Sequence, residues 1–121
     1  MPEYEFGLRR LEDDALVGFV ALFGLEWGNR MAKMAIGIGD ARFRGQGYGS
    51  EGMRLILNYA FWELNLHRVG LDVITYNHRA IALYEKMGFQ EEGRIREAVS
   101  RQGQHFDLLL MGILDREWGS V

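Results

Sequence analysis

Between residues 39 and 50 the apolar pattern of the chain changes period, and alternate glycines mark the change. Upstream lie three short segments of strand character. Residues 4–10 form the first. Residues 15–25 (ALVGFVALFGL) are apolar on both faces and rich in Val, Phe and Leu, which reads as a buried strand. Residues 31–39 carry the β-branched pair Ile36 and Ile38 on one face. Asp13-Asp14 and Glu26-Trp27-Gly28-Asn29 supply the turns, so the three predict an antiparallel meander. Downstream, Met53, Ile56, Leu57, Ala60, Phe61 and Leu64 recur at the spacing of one helix face. That helix is expected over residues 48–65, about 27 Å long at 1.5 Å per residue.

Residues 68–75 (RVGLDVIT) predict the next strand. A helix separates it from the third, so the two are expected to be parallel neighbours. Asn77 fits an N-cap, Ala80, Ile81, Tyr84 and Met87 form an apolar stripe, and Gly88 fits the position just past the helix. Strands over 90–97 and 105–114, with a turn at Arg101-Gln102-Gly103-Gln104, complete the chain. The prediction is a mixed α/β sheet: an antiparallel meander, then a parallel crossover, with two main helices. Its 121 residues are expected to form one domain, 1–121.

Composition removes several classes of function. There is no cysteine, which excludes disulfides, a cysteine nucleophile and a thiolate metal site. His67, His78 and His105 lack metal-ligand spacing, so no metal is expected. A net charge of −3 gives no nucleic-acid footprint. No apolar run approaches the roughly 20 residues that span a bilayer. The first ten residues carry charges and no signal-peptide core, so a cytoplasmic protein is expected.

The junction itself reads Arg44-Gly45-Gln46-Gly47-Tyr48-Gly49-Ser50. Alternate glycines expose successive backbone N–H groups, and the helix start adds unpaired donors and a positive dipole end. That combination suits a pyrophosphate, with Arg42 and Arg44 adding charge. It also suits a plain tight turn. A Walker A loop is excluded because no Gly-Lys pair exists, and the dinucleotide fingerprint fails because Ser50 stands at its third glycine. Asn77 and Tyr84 lie seven residues apart, on one helix face. They read either as a cap and a core residue, or as two groups aimed at a ligand beyond the carboxyl end of a parallel strand. Arg79 is a further phosphate candidate.

Taken together in this order, the two segments resemble the GNAT superfamily of N-acetyltransferases, in its ribosomal-protein-alanine and polyamine acetyltransferase-like branch. Arg44, Gly47 and Gly49 meet its Arg/Gln-x-x-Gly-x-Gly/Ala pattern, and Asn77 to Phe89 meet Asn-x-x-Ala-x-x-Leu-Tyr-Glu-Lys-x-Gly-Phe. Leu64-Asn65-Leu66-His67-Arg68, Glu92-Gly93-Arg94, Asp107, Met111-Gly112 and Glu117-Trp118 also fit. The resemblance implies an acyl-CoA N-acyltransferase fold and transfer of an acetyl group from acetyl-CoA directly to a primary amine of a small molecule or peptide. It implies that Gly45, Gln46, Gly47, Tyr48, Gly49 and Ser50, with Arg44, bind the pyrophosphate. Backbone groups near Ile36 and Ile38 are implied to hold the pantetheine between parted strands, Asn77 to bond its arm and Tyr84 to protonate the leaving thiolate.

Two departures follow. Relatives usually begin with a further strand and one or two helices that this chain lacks, which leaves an open edge strand and an expected homodimer. Relatives also often carry a carboxylate near the position of Lys33. Glu26, Asp72, Glu97 or a water chain could replace it, and no base is assigned. The alternative function is a CoA-binding module without turnover.

Overall fold

The structure is a computed structural model that describes residues 3–39 and 41–119; Met1, Pro2, Asp40, Ser120 and Val121 lie outside the described residues. Among the described residues six strands form one sheet: β1 Tyr4–Arg9, β2 Leu16–Glu26, β3 Met31–Ile38, β4 Arg68–Ile74, β5 Gln90–Arg101 and β6 Gln104–Leu114. Their order across the sheet is β1-β2-β3-β4-β6-β5. Only β3 and β4 are parallel, and their register covers three pairs, Met31 with Arg68 to Lys33 with Gly70. The helices are α1 Tyr48–Asn58, α2 His78–Met87 and the short α3 Asp115–Trp118. The mixed sheet, the meander and the parallel crossover are as the sequence predicts; α3 is additional.

All three helices cover one face. Ala32 stands beside Val69, and Val69, Leu71 and Val73 beside Ile113, Met111 and Leu109, so these side chains share that face. They meet Met53, Ile56 and Leu57 of α1, which are nearly or fully buried, and Met87 of α2. Burying each such side chain stabilises the fold by about 1.5–3 kcal/mol. Trp118 of α3 donates its indole N–H to Asn58 Oδ1 at 2.8 Å and ties the chain end to α1. The other face is partly bare. The sequence reads β2 as buried on both sides, yet Leu16 is 56% and Phe19 43% exposed there.

Two local features depart from the sequence reading. The long helix gives way at Tyr59–Glu63 to a π-helical turn, where Leu64 N–H donates to Tyr59 O at 3.0 Å. The wider turn keeps Ala60, Phe61 and Leu66 in the core. Asn65, at φ 56°, then ends it. Strand β5 continues past Glu97 instead of stopping there. Residues 96–98 bulge opposite Asp107, between the pairs Ile95–Leu108 and Val99–Phe106. Asp107 Oδ1 accepts the Glu97 N–H at 2.9 Å and supplies the partner that the bulge removes. No helix among the described residues is long and apolar enough to cross a membrane.

Candidate functional site

Past Lys33 and Gly70 the registered pairing of β3 and β4 stops, and β3 leans toward β2. Two glycines allow the lean. A Cβ on Gly18 would fall 2.1 Å from Gly37 O, and one on Gly37 would fall 2.6 Å from the Phe19 ring. Beyond that point a cavity of about 410 Å³ opens on the helical side of the sheet. Ile36, Gly37 and Ile38 form one wall, Arg44, Gly45, Gly47, Gly49 and Ser50 the second, and Asn77, Arg79, Ala80, Leu83 and Tyr84 the third.

The second wall is the glycine segment. Gly45 and Gly47 adopt φ 74° and 85°, a region costly for other L-residues, and Gly47 begins α1 without a side-chain cap. The first-turn N–H groups of α1 therefore have no capping side chain, and Gly49 and Ser50 present that turn to the cavity. Gln46 and Tyr48 do not line it. The Gln46 amide donates back to Arg42 O, and the Tyr48 ring packs edge-on against Phe43 at 6.2 Å. Arg42 stacks over Phe43, 5.1 Å from its centre, so the cationic walls are Arg44 and Arg79. The Arg79 guanidinium reaches across to the loop: a Cβ on Gly45 would lie 2.8 Å from its Nη2. No described lining residue is acidic. Apolar walls with two cations and exposed backbone donors suit a ligand that is anionic at one end.

On the third wall Asn77 and Tyr84 both serve the helix and line the cavity. Asn77 Oδ1 accepts the Ala80 N–H at 3.2 Å, so the residue caps the helix, and its amide still faces the cavity. Tyr84 packs against Phe89, ring centres 6.1 Å apart, and also lines the cavity. Burial pushes its phenol pKa above the ordinary value, so the hydroxyl keeps its proton at neutral pH.

Every other expected site residue, Ile36, Ile38, Arg44, Gly45, Gly47, Gly49, Ser50, Asn77 and Tyr84, lies on this one cavity. Gly37, Ala80 and Leu83 join them unannounced. Arg79, the further phosphate candidate, lies on it too, and its four-residue spacing to Leu83 could have placed Leu83 there. The proposed replacement bases are elsewhere. Glu26 sits at the far end of β2 and accepts from Asn29 at 2.9 Å. Asp72 is paired with Lys33 at 3.2 Å on the bare face, where β3 and β4 part. Glu97 occupies the β5 bulge. The described residues contain no group of three or more His, Asp or Glu side chains able to hold a metal.

Comparison with known proteins bears on this cavity. The chain is 36% identical over 108 residues to the putative ribosomal N-acetyltransferase YdaF of Bacillus subtilis, covering 89% of this chain and 58% of that protein. It is 34% identical over 103 residues to the spermidine N(1)-acetyltransferase of Vibrio cholerae, covering 85% and 59%. The chain thus spans less than two thirds of the length of these curated relatives. Among solved structures, the spermidine/spermine N-acetyltransferase SpeG of Vibrio cholerae superposes with a TM-score of 0.87 at 32% identity, over 94% of this chain and 66% of that one. The family described as acetyltransferase (GNAT) domain matches residues 1–90, where β1 to β4, the glycine segment and α2 all lie, and the chain belongs to that family.

Proposed function

We propose that the chain is an N-acetyltransferase that moves an acetyl group from acetyl-CoA directly to a primary amine. The observation that carries this reading is a single cavity with the glycine turn at one side, the released backbone of β3 at another and the Tyr84 phenol on the third. The fit to CoA is specific in kind. Two positive-φ glycines let backbone N–H groups approach a diphosphate, and Arg44 and Arg79 supply charge. Backbone near Ile36 and Ile38 offers hydrogen bonds to an amide-rich arm and to a thioester carbonyl oxygen, where a fixed N–H stabilises developing charge. Asn77 adds an amide. When the amine nitrogen bonds to the carbonyl carbon and the carbon–sulfur bond breaks, Tyr84 Oη gives its proton to the departing sulfur, and the proton that the nitrogen sheds passes through water and restores the phenol.

The spermidine acetyltransferases among the relatives favour a small polyamine as acceptor, with a peptide amine as the other candidate. We further propose a cytoplasmic homodimer that works without metal, nucleic acid or membrane. A second reading, a module that binds CoA without turnover, is favoured by one observation: no described carboxylate lines the cavity, and Asp72 is held by Lys33.

The test combines melting with acetyl-CoA and mass analysis of products from a panel of polyamines, amino sugars and peptides. A melting shift with acetylated product is expected. A shift without product selects the second reading, and the absence of any shift defeats both.

A further inference from the structure

We infer that Phe43, held between the guanidinium groups of Arg10 and Arg42, is the positioning residue of the diphosphate cradle: it fixes where the glycine turn and the first turn of α1 stand, without lining the cavity itself. This rests on the CoA reading above and names what holds the loop in shape.

The passage from β3 to α1 has little apolar content to anchor it. Among the described side chains between Gly39 and Glu51, Phe43 alone is buried, at 6% exposure. It closes the single 3₁₀ turn Ala41–Phe43, directly before Arg44. Its ring lies outside the main hydrophobic cluster of the sheet and helices. Two cations and an aromatic edge are its close partners. The Arg10 guanidinium carbon stands 5.0 Å from the ring centre and that of Arg42 5.1 Å, both within cation–π range. The Tyr48 ring meets it edge-on at 6.2 Å.

Arg10 is placed for this by the hairpin between β1 and β2. Asp14 N–H donates to Arg10 O at 2.8 Å and Arg10 N–H to Ala15 O at 2.9 Å, which fixes its backbone. Asp13 Oδ1 accepts from Arg10 Nε at 3.0 Å, and Glu12 lies 3.3 Å from the same nitrogen. Asp13 first, then the Tyr48 hydroxyl, accept hydrogen bonds from the guanidinium and raise its pKa. Arg10 is therefore a fixed cation with its charge already matched, suited to pack on a ring and unsuited to take a phosphate. Arg42 is tied on its own side, because its C=O accepts from the Gln46 amide.

Tyr48 carries this order into the cradle. It is the first residue of α1, and Gly47 before it gives the helix no side-chain cap. A capping side chain ordinarily orients such a start; here the Tyr48 ring on Phe43 does so. The cavity wall from Arg44 to Ser50 thus begins next to Phe43 and contains a residue packed back onto it. Arg10, Arg42, Phe43 and Tyr48 are all absent from the cavity lining. Glycines at 45, 47 and 49 leave the loop many shapes, so a contact outside it must select the one that presents its N–H groups. Apparent affinity scales with the fraction of time spent in that shape.

Three variants test the role. Phe43→Leu keeps an apolar side chain and removes the ring, Arg10→Met removes one cation, and Phe43→Tyr keeps the ring. Melting in titrations of CoA and of pantetheine, which has no diphosphate, gives the affinities. Phe43→Leu is expected to bind CoA about tenfold more weakly, as for a cradle formed about a tenth of the time, and pantetheine within about twofold of wild type. Arg10→Met weakens CoA by about threefold, and Phe43→Tyr returns it to within about twofold of wild type. Amide exchange reads the loop with no ligand added. The Glu51 N–H donates to Gly47 O at 3.0 Å. It is expected to exchange about tenfold faster in Phe43→Leu, while the amides of α2 keep their wild-type rates. If Phe43→Leu fails to melt cooperatively, Arg10→Met decides alone. Equal loss for CoA and pantetheine, or no loss for either, overturns the positioning role and leaves the CoA reading in place. A wild type that binds no CoA defeats both.

Discussion

Replacing Gly47 by valine separates a phosphate cradle from a mere tight turn. Gly47 sits at φ 85° and ψ −2°, and a Cβ there meets no heavy atom within 4 Å. The unliganded fold therefore loses only the backbone term, about 1–2 kcal/mol for an L-residue in the left-handed region. For a domain of this size that lowers the melting temperature by about 3–10 °C. Ligand binding behaves differently. Saturation at 100 times Kd adds about 2.7 kcal/mol to wild type, a rise of about 10 °C. The new side chain occupies the space through which backbone N–H groups would reach a phosphate, so the variant is expected to show none of that rise. Gly24→Val is the control. Gly24 has φ 61°, also meets nothing within 4 Å, and lies outside the cavity wall. It should lose similar stability and keep the CoA response. Scanning fluorimetry over a CoA series, with pantetheine as a ligand without diphosphate, reads both effects. If Gly47→Val responds to CoA as wild type does, the loop is not the cradle.

Tyr84→Phe retains the packing on Phe89 and removes the donor; turnover should fall about 10²–10⁴-fold with the CoA melting shift unchanged, and unaltered turnover would reduce Tyr84 to a core residue. Burial raises the Tyr84 pKa, so wild-type activity should persist through the neutral range and decline only when pH passes that raised value. The bidentate bond from Arg68 holds the Glu92 carboxyl below its ordinary pKa. A depressed folded pKa gives stability that is present above the unfolded value and lost as pH falls through the folded one. Glu92→Gln should therefore cost less than about 1 kcal/mol at pH 7, because both side chains are about a third exposed, and its melting curve should converge with wild type in acid.

Signals carried by neighbouring residues were legible in the chain. The i, i+3, i+4 stripe from Met53, the Asn77 cap, Gly88 after α2 and the alternate glycines all act within a few residues of themselves, and each appears where its local chemistry puts it. What depended on distant partners was not legible. The π turn at Tyr59–Glu63 follows from seating Phe61 and Leu66 in the core together, and the β5 bulge depends on Asp107 from another strand. Arg42 leaves the cavity wall for the same reason. The Phe43 ring draws Arg42 aside, while the rotation of α2 carries Arg79 to the loop. The bare face of β2 was hidden because an apolar residue looks the same in sequence whether or not a layer covers it.

The short ladder between β3 and β4 also has a mechanical meaning. Three registered pairs cross that line, against seven between β4 and β6. The sheet is two half-sheets sewn by a few stitches, and α1, packed across both, works as the batten that keeps them level. Force or heat applied to the two halves concentrates where the stitches are fewest. A long ligand lying in the gap would add thread to that line, so the proposed ligand site is also the line along which the molecule is first to tear.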